Sequence, residues 1–152
     1  MEKPTYEQAQ LQLELFETRR EARLRQARDW FQKNYFVESF EDAMRIGAPG
    51  TEGGTNAMMV ASYWEQACAM LNYGLLHEHL FFETNGEFFM VWERLKPMVA
   101  GFREQFVGPH MFAHIEKAAQ KYEAWMEKTS PGHVERMRQF MQQMRGQMTK
   151  AA

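Results

Sequence analysis

The chain has 152 residues, of which 45% are hydrophobic and 25% are charged, and its net charge is −2. This length is typical of one domain with a substantial core, and the near-neutral charge excludes a general attraction to nucleic acid or to an anionic membrane. The single cysteine excludes an internal disulfide, and we expect a cytoplasmic protein because the N-terminus lacks a signal-peptide pattern and no long apolar run could span a membrane.

The first predicted element is a long amphipathic helix covering residues 5–34. Thr5 and Gln8 form a capping-box pattern at its start. Its apolar positions recur at helical spacing: Tyr6, Ala9, Leu13, Phe16, Leu24, Ala27 and Phe31. At about 1.5 Å per residue the helix would be about 45 Å long. We therefore expect one end to project from the domain or to contact another chain.

A short helix and a glycine-rich connector come next. Ser39 can cap a helix that ends at Gly47. The segment 47–56 contains four glycines and one proline, which predicts a loop between helices. It lacks the lysine and the preceding strand of a phosphate-binding loop, so we interpret it as a connector.

The central predicted helix covers residues 57–82, and the rest of the chain is expected to pack around it. One side carries Val60, Trp64, Ala67, Leu71, Leu75 and Phe82, with further apolar residues on both flanks. A helix that is apolar over so much of its circumference usually has neighbours on several sides.

Three further helices complete the predicted fold. Thr84 and Glu87 form a capping-box pattern for the first, which Pro97 is expected to kink or divide. Pro109 suits the first turn of the second helix. The last covers residues 131–148 and carries a stripe of Met137, Met141, Met144 and Met148. With no alternating strand pattern, residues 1–152 are predicted to form an all-α, single-domain bundle of five or six helices.

Three segments together resemble a bacterial family of small helical proteins catalogued only as a domain of unknown function. They are RREARLRQARDWF at 19–31, ASYWEQACAMLNYGLLHEHLF at 61–81 and NGEFFMVWERLKPMVAGFRE at 85–104. The resemblance implies a bacterial, cytoplasmic, helical protein, and it supplies no catalytic residues.

The histidines give only a weak metal-binding pattern. His77 and His79 point about 200° apart on a helix and cannot bind one metal together. His79 and Glu83 could share a face, but a catalytic zinc site usually has three protein ligands. A metal-dependent enzyme would need His110 or His114 as well. This is the least favoured alternative, and we expect neither a metal nor a cofactor.

Two other functions fit the pattern better. We favour a non-enzymatic module that forms a homodimer or binds a protein partner, because the first helix is long and the methionine stripe resembles adaptable binding surfaces. The alternative is a small-ligand-binding bundle with an aromatic pocket formed by Trp64, Phe88, Trp92 and Tyr122. Nucleic-acid binding is not expected, because the arginines of the first helix scatter around its axis.

One charged residue interrupts the apolar stripe of the central helix. Glu78 falls between Leu75 and Phe82, and a buried charge is costly unless it is paired. We expect Glu78 to pair with Arg20 or Arg103 between helices, so that Glu78→Ala would lower the free energy of unfolding by more than about 2 kcal/mol. The alternative is that Glu78 lies near a helix end and is solvated.

Overall fold

The computed structural model describes residues 2–151, which form helices and connecting loops without a strand. The helices are α1 Tyr6–Arg19, α2 Ala22–Asn34, α3 Phe40–Ile46, α4 Glu52–Asn72, α5 Glu78–Thr84, α6 Glu87–Gln105, α7 Ala113–Thr129 and α8 His133–Ala151. The predicted all-α class is confirmed, but the described part of the chain has eight helices and not five or six. None of these helices combines the length and the apolar character needed to cross a membrane.

The predicted helix over residues 5–34 is two helices. The capping box at Thr5 and Gln8 is confirmed, but α1 ends at Arg19 and α2 starts after Glu21. The Glu21 carboxylate accepts hydrogen bonds of 2.9 Å from the backbone N–H groups of Arg23 and Leu24. It therefore satisfies two of the free donors at the start of α2. The helical spacing of the apolar residues continues across this break.

The glycine-rich connector is shorter than predicted. Thr51 caps α4 by accepting a hydrogen bond of 3.0 Å from the backbone N–H of Gly54. The predictions of a loop over residues 47–56 and of a helix that begins at residue 57 are therefore wrong. Gly53 and Gly54 lie in the first turn of α4. Their lack of side chains lets the backbone of residues 46–48 approach this turn closely.

The predicted central helix over residues 57–82 is also divided. α4 ends at Asn72, and the chain turns through Gly74, which has a φ of 78°, before α5 begins. The apolar side of α4 is buried, as predicted, and it packs against α2, α6 and α7. This places α4 at the centre of the fold.

The later helices also begin at positions other than those predicted. The Thr84 hydroxyl donates to the carbonyl of Leu80 and does not cap α6. α6 continues through Pro97 as one element. α7 begins at Ala113, beyond the predicted first turn at Pro109. The last helix covers 133–151, not 131–148.

The close approach at the start of α4 gives a stability prediction. A methyl group on Gly54 would lie 2.0 Å from the carbonyl oxygen of Ala48, and relief would require the backbone to move. We expect Gly54→Ala to lower the free energy of unfolding by more than about 2 kcal/mol in chemical denaturation.

The matched control is Gly146→Ala in α8, where an added methyl group meets no atom within 4 Å. We expect this change to raise the free energy of unfolding by about 0.5–1 kcal/mol, because alanine favours a helix interior over glycine. Equal effects of the two substitutions would show that the approach at Gly54 is not close.

Candidate functional site

The aromatic residues predicted to form a ligand pocket lie in the core. Trp64, Phe88 and Tyr122 are buried, with ring centroids 6.3 Å apart for Trp64 and Phe88 and 5.3 Å apart for Phe88 and Tyr122. Trp92 is partly buried and packs against the same core. These aromatic residues are therefore part of the packed interior.

The histidines named in the metal hypothesis have separate roles. His77 caps α5: its Nδ1 accepts from the backbone N–H of Leu80, and its Nε2 donates to the carbonyl of Glu2 at 2.7 Å. Asn72 donates to the carbonyl of His114 at 3.0 Å. Among residues 2–151, no three His, Cys, Asp or Glu side chains are grouped to hold a metal ion.

Glu78 does not form the predicted contact with Arg20 or Arg103. Its carboxylate lies 2.9 Å from the Lys121 ammonium, and its side chain is 47% exposed. Arg20 pairs with Glu17 on the surface of α1, whereas Arg103 donates to Glu116 and to the carbonyl of Met111. The prediction is wrong because α4 ends before residue 78, so the helical register of the central stripe does not extend to it.

A different glutamate forms the polar contact between helices. The carboxylate of Glu65, in the middle of α4, accepts hydrogen bonds from the backbone N–H groups of His114 at 3.0 Å and Ile115 at 2.8 Å. Phe112, at the start of α7, has a left-handed backbone conformation with a φ of 61°, and its side chain forms no capping hydrogen bond. Glu65 thus caps α7 from another helix. In the sequence, only the absence of a capping residue before Ala113 indicated that the cap comes from elsewhere.

A second polar cluster joins α1, α2 and α6. Glu87 accepts from both Nε and Nη2 of Arg28, at 2.8 and 2.6 Å, and Arg19 lies 3.8 Å from the same carboxylate. These hydrogen bonds hold the pKa of Arg28 above its ordinary value. The arrangement is a two-bond fork between guanidinium and carboxylate, which fixes orientation as well as distance.

Ion pairs attach α8 to two other helices. Arg138 donates to the carboxylate of Glu93 in α6 and to that of Glu123 in α7, at 3.0 and 2.8 Å for the shortest bonds. The Glu93 side chain is only 8% exposed and also pairs with Lys96. Burial alone would raise the pKa of Glu93, but the hydrogen bonds from Arg138 and Lys96 outweigh it, and the pKa lies below its ordinary value.

The methionine stripe of α8 divides between the core and a cavity. Met137 packs against the core. Met141, Met144 and Met148 face α2 and α6 across a cavity of about 240 Å³, which we call the methionine cavity. Its other walls include Phe31, Val60, Met90, Val91 and Phe140, with Arg28, Glu87 and Arg94 among the polar residues.

The outer face of α1 is the other apolar surface. α1 contains no buried residue, and its Tyr6, Leu13 and Phe16 are 79%, 66% and 45% exposed. These three residues and Ala9 follow one side of the helix, which we call the α1 outer face. On the opposite side Leu11 and Leu15 pack against the core.

The two glutamates of the central region give a paired stability prediction. Glu65→Ala would leave two backbone donors of α7 without their charged acceptor, so we expect the free energy of unfolding to fall by about 2–3 kcal/mol. Glu78→Ala removes a half-exposed surface pair and should cost less than about 1 kcal/mol. Chemical denaturation of both variants tests this, and Glu65→Gln, which keeps one acceptor oxygen, should fall between them. A larger loss for Glu78→Ala would contradict the structure.

The lowered pKa of Glu93 predicts an acid sensitivity. Its stabilising contribution is present above the unfolded-state pKa, about 4.5, and is lost as the pH falls through the lower folded-state value. Glu93→Gln should therefore be less stable than the wild type at neutral pH and should lose less free energy of unfolding on acidification. Urea denaturation at a series of pH values measures this. Glu104→Gln, at an exposed position of α6, is the control and should keep the wild-type pH dependence; parallel curves for all three proteins would refute the prediction.

Comparison with known proteins assigns a family. The model of a family described as "Domain of unknown function (DUF4760)" matches residues 4–125, a range that contains α1 to α6 and most of α7 and ends before α8. Neither a curated protein nor a solved structure gives a significant match. Because the matched range covers most of the sequence, the chain belongs to the DUF4760 family, whose function is unknown.

Proposed function

We propose that the protein is a non-enzymatic helical module that forms a homodimer through the α1 outer face. The observation that carries the proposal is the exposure of Tyr6, Leu13 and Phe16 on one side of a helix that buries no residue. Single exposed apolar residues are normal on protein surfaces, whereas several along one helix face mark an interaction site.

The spacing of the α1 outer face favours a second copy of the same chain as its partner. The steps between its residues are three, four and three positions, from Tyr6 to Ala9, Leu13 and Phe16. This order of steps is the same when the helix is read from either end. In an antiparallel pair of α1 helices, Tyr6 would face Phe16 of the second copy, and the small Ala9 would face Leu13. A two-fold interface requires this kind of self-complementary surface.

The inner side of α1 supports a well-ordered docking surface. The Tyr63 hydroxyl donates to the carbonyl of Leu15, and the Gln12 amide donates to the Thr84 hydroxyl at 2.8 Å. Together with the partly buried Leu11, these contacts fix the rotation of α1. A helix held in this way presents its outer side chains at little further entropic cost on binding.

The chemistry of the interior supports a non-enzymatic role. The carboxylates of Glu65, Glu87 and Glu93 each accept hydrogen bonds that join helices. Burial raises the pKa of the Cys68 thiol well above its ordinary value, which makes it a poor nucleophile at neutral pH. A single buried thiol also suits a reducing compartment, and we assign the protein to the bacterial cytoplasm as part of this proposal.

The proposal predicts the effect of a charge on the α1 outer face. We expect the wild-type protein to sediment as a dimer at micromolar concentration. Leu13→Glu should sediment as a monomer, because each introduced carboxylate would be buried against Ala9 of the second copy without a partner. Leu13 is 66% exposed, so the change should leave the fold intact. Sedimentation equilibrium measures the masses, and circular dichroism checks the fold.

The matched control is Met58→Glu, which places the same charge at an apolar residue of α4 that is 42% exposed. This variant should remain a dimer. A monomeric wild type across the concentration range, or a dimeric Leu13→Glu variant, would overturn the proposal.

A further inference from the structure

A second compartment lies next to the methionine cavity beneath α8. It has a volume of about 440 Å³, and Arg94 and Met141 line both compartments. The charged residues of the second compartment are predominantly basic. They are Arg94, Lys96, Arg138, Arg145, Glu38 and Glu93. The groove under α8 thus has an apolar part and a positively charged part, with Arg94 at their common wall.

Arg94 differs from the other cations of this groove. Each of the others pairs with a carboxylate: Arg28, Lys33, Lys96, Arg138 and Arg145. Within residues 2–151, Arg94 forms no such pair.

The hydrogen bonds of Arg94 leave part of its guanidinium available. Its Nη1 donates to the carbonyls of Phe31 and Gln32 at 2.9 Å each, at the end of α2. The group also lies over the Phe36 ring at 4.5 Å. No hydrogen bond of its Nη2 to another described residue is present, and burial lowers the pKa of Arg94. A carboxylate beside this cation would offset the free-energy cost of burying its positive charge.

We propose that the groove binds an aliphatic carboxylate, with its chain in the methionine cavity and its carboxylate on Arg94. A guanidinium fork matches a carboxylate in shape and charge. Methionine side chains adapt to a flexible chain. Apolar walls with one well-placed charged group are the usual composition of a small-ligand site.

The volume of the apolar part sets the length of the chain. A methylene group is similar in size to a water molecule, which occupies about 30 Å³ in the liquid, so the cavity holds about eight such groups. Octanoate is therefore the probe of choice. A second apolar cavity, of about 290 Å³ between α3, α4 and α6, has no charged residue in its lining and offers no group to orient such a ligand.

This site is independent of the proposed dimer interface. Four of the methionine-cavity residues belong to α8, which lies beyond the range matched by the family model. The α1 outer face contributes no residue to either compartment. The outcome of the sedimentation experiment therefore does not decide this inference, and the binding experiment below does not decide the dimer.

Isothermal titration of the full chain with octanoate tests the inference. We expect saturable binding at one site, with butanoate at least tenfold weaker because its chain fills little of the cavity. Octanol should also bind at least tenfold more weakly, because it has the chain but no charge. Absence of saturable octanoate binding, or equal binding of octanol, would overturn the proposal.

Substitutions then locate the site. Arg94→Gln should weaken octanoate binding at least tenfold, and Arg94→Lys, which keeps the charge but not the fork, should weaken it less. Arg136→Gln is the control and should leave binding unchanged, because Arg136 is an exposed residue of α8 that lines neither compartment.

A second variant keeps the test decisive if Arg94→Gln does not fold. Met144→Glu places a carboxylate in the methionine cavity at a partly exposed position, so the fold should persist while octanoate binding is lost. Unchanged octanoate affinity in folded Arg94→Gln or Met144→Glu protein would show that the ligand binds elsewhere.

Discussion

The burial of α4 between α2, α6 and α7 is the constraint on which the other features of the structure depend. Trp64 and Phe88 lie close together in the core, and Phe88 packs in turn against Tyr122. Such large rings contribute much of the apolar burial of a core. Because α4 is enclosed on these sides, a charged side chain between α4 and α7 is costly unless it has hydrogen-bond partners there. Glu65 has such partners at the first turn of α7, and its two hydrogen bonds fix the position of α7 relative to α4.

The same principle explains the remaining polar contacts between helices. Glu87 joins α6 to α2 through Arg28, and Glu93 joins α6 to α8 through Arg138. All three glutamates lie on helices that also bury apolar side chains, and a partly buried carboxylate is stable only when donors surround it. The partly buried carboxylates therefore lie at the joints between helices, where each is paired.

The sequence predicted the features that depend on local patterns. The apolar stripe from Val60 to Leu71 identified the buried side of α4, and Thr5 and Ser39 were correctly expected to cap helices. The breaks at Glu21 and Gly74 were missed, because apolar residues keep their helical spacing on both sides of each break. Spacing records which residues are apolar and does not record where a backbone donor finds an acceptor.

The candidate sites depended on contacts between distant residues and could not be predicted from spacing. Glu65 and His114 are far apart in the sequence, and so are Arg94 and the carbonyl groups at the end of α2. Spacing also did not show that Trp64, Phe88 and Tyr122 pack close together in the core, because that depends on how facing helices fit. The methionine stripe was recognised from the sequence, but only the structure shows that it covers a cavity.

The attachment of α8 has a consequence for how the interior is reached. This helix buries a single residue, Val134, and otherwise depends on the ion pairs of Arg138 and Arg145 and on methionine contacts. Segments with few buried apolar contacts open locally at a small fraction of the global free energy of unfolding. We therefore expect α8 to open more readily than the core around α4. The width of the groove beneath α8 then depends on how firmly these side-chain contacts hold a single helix.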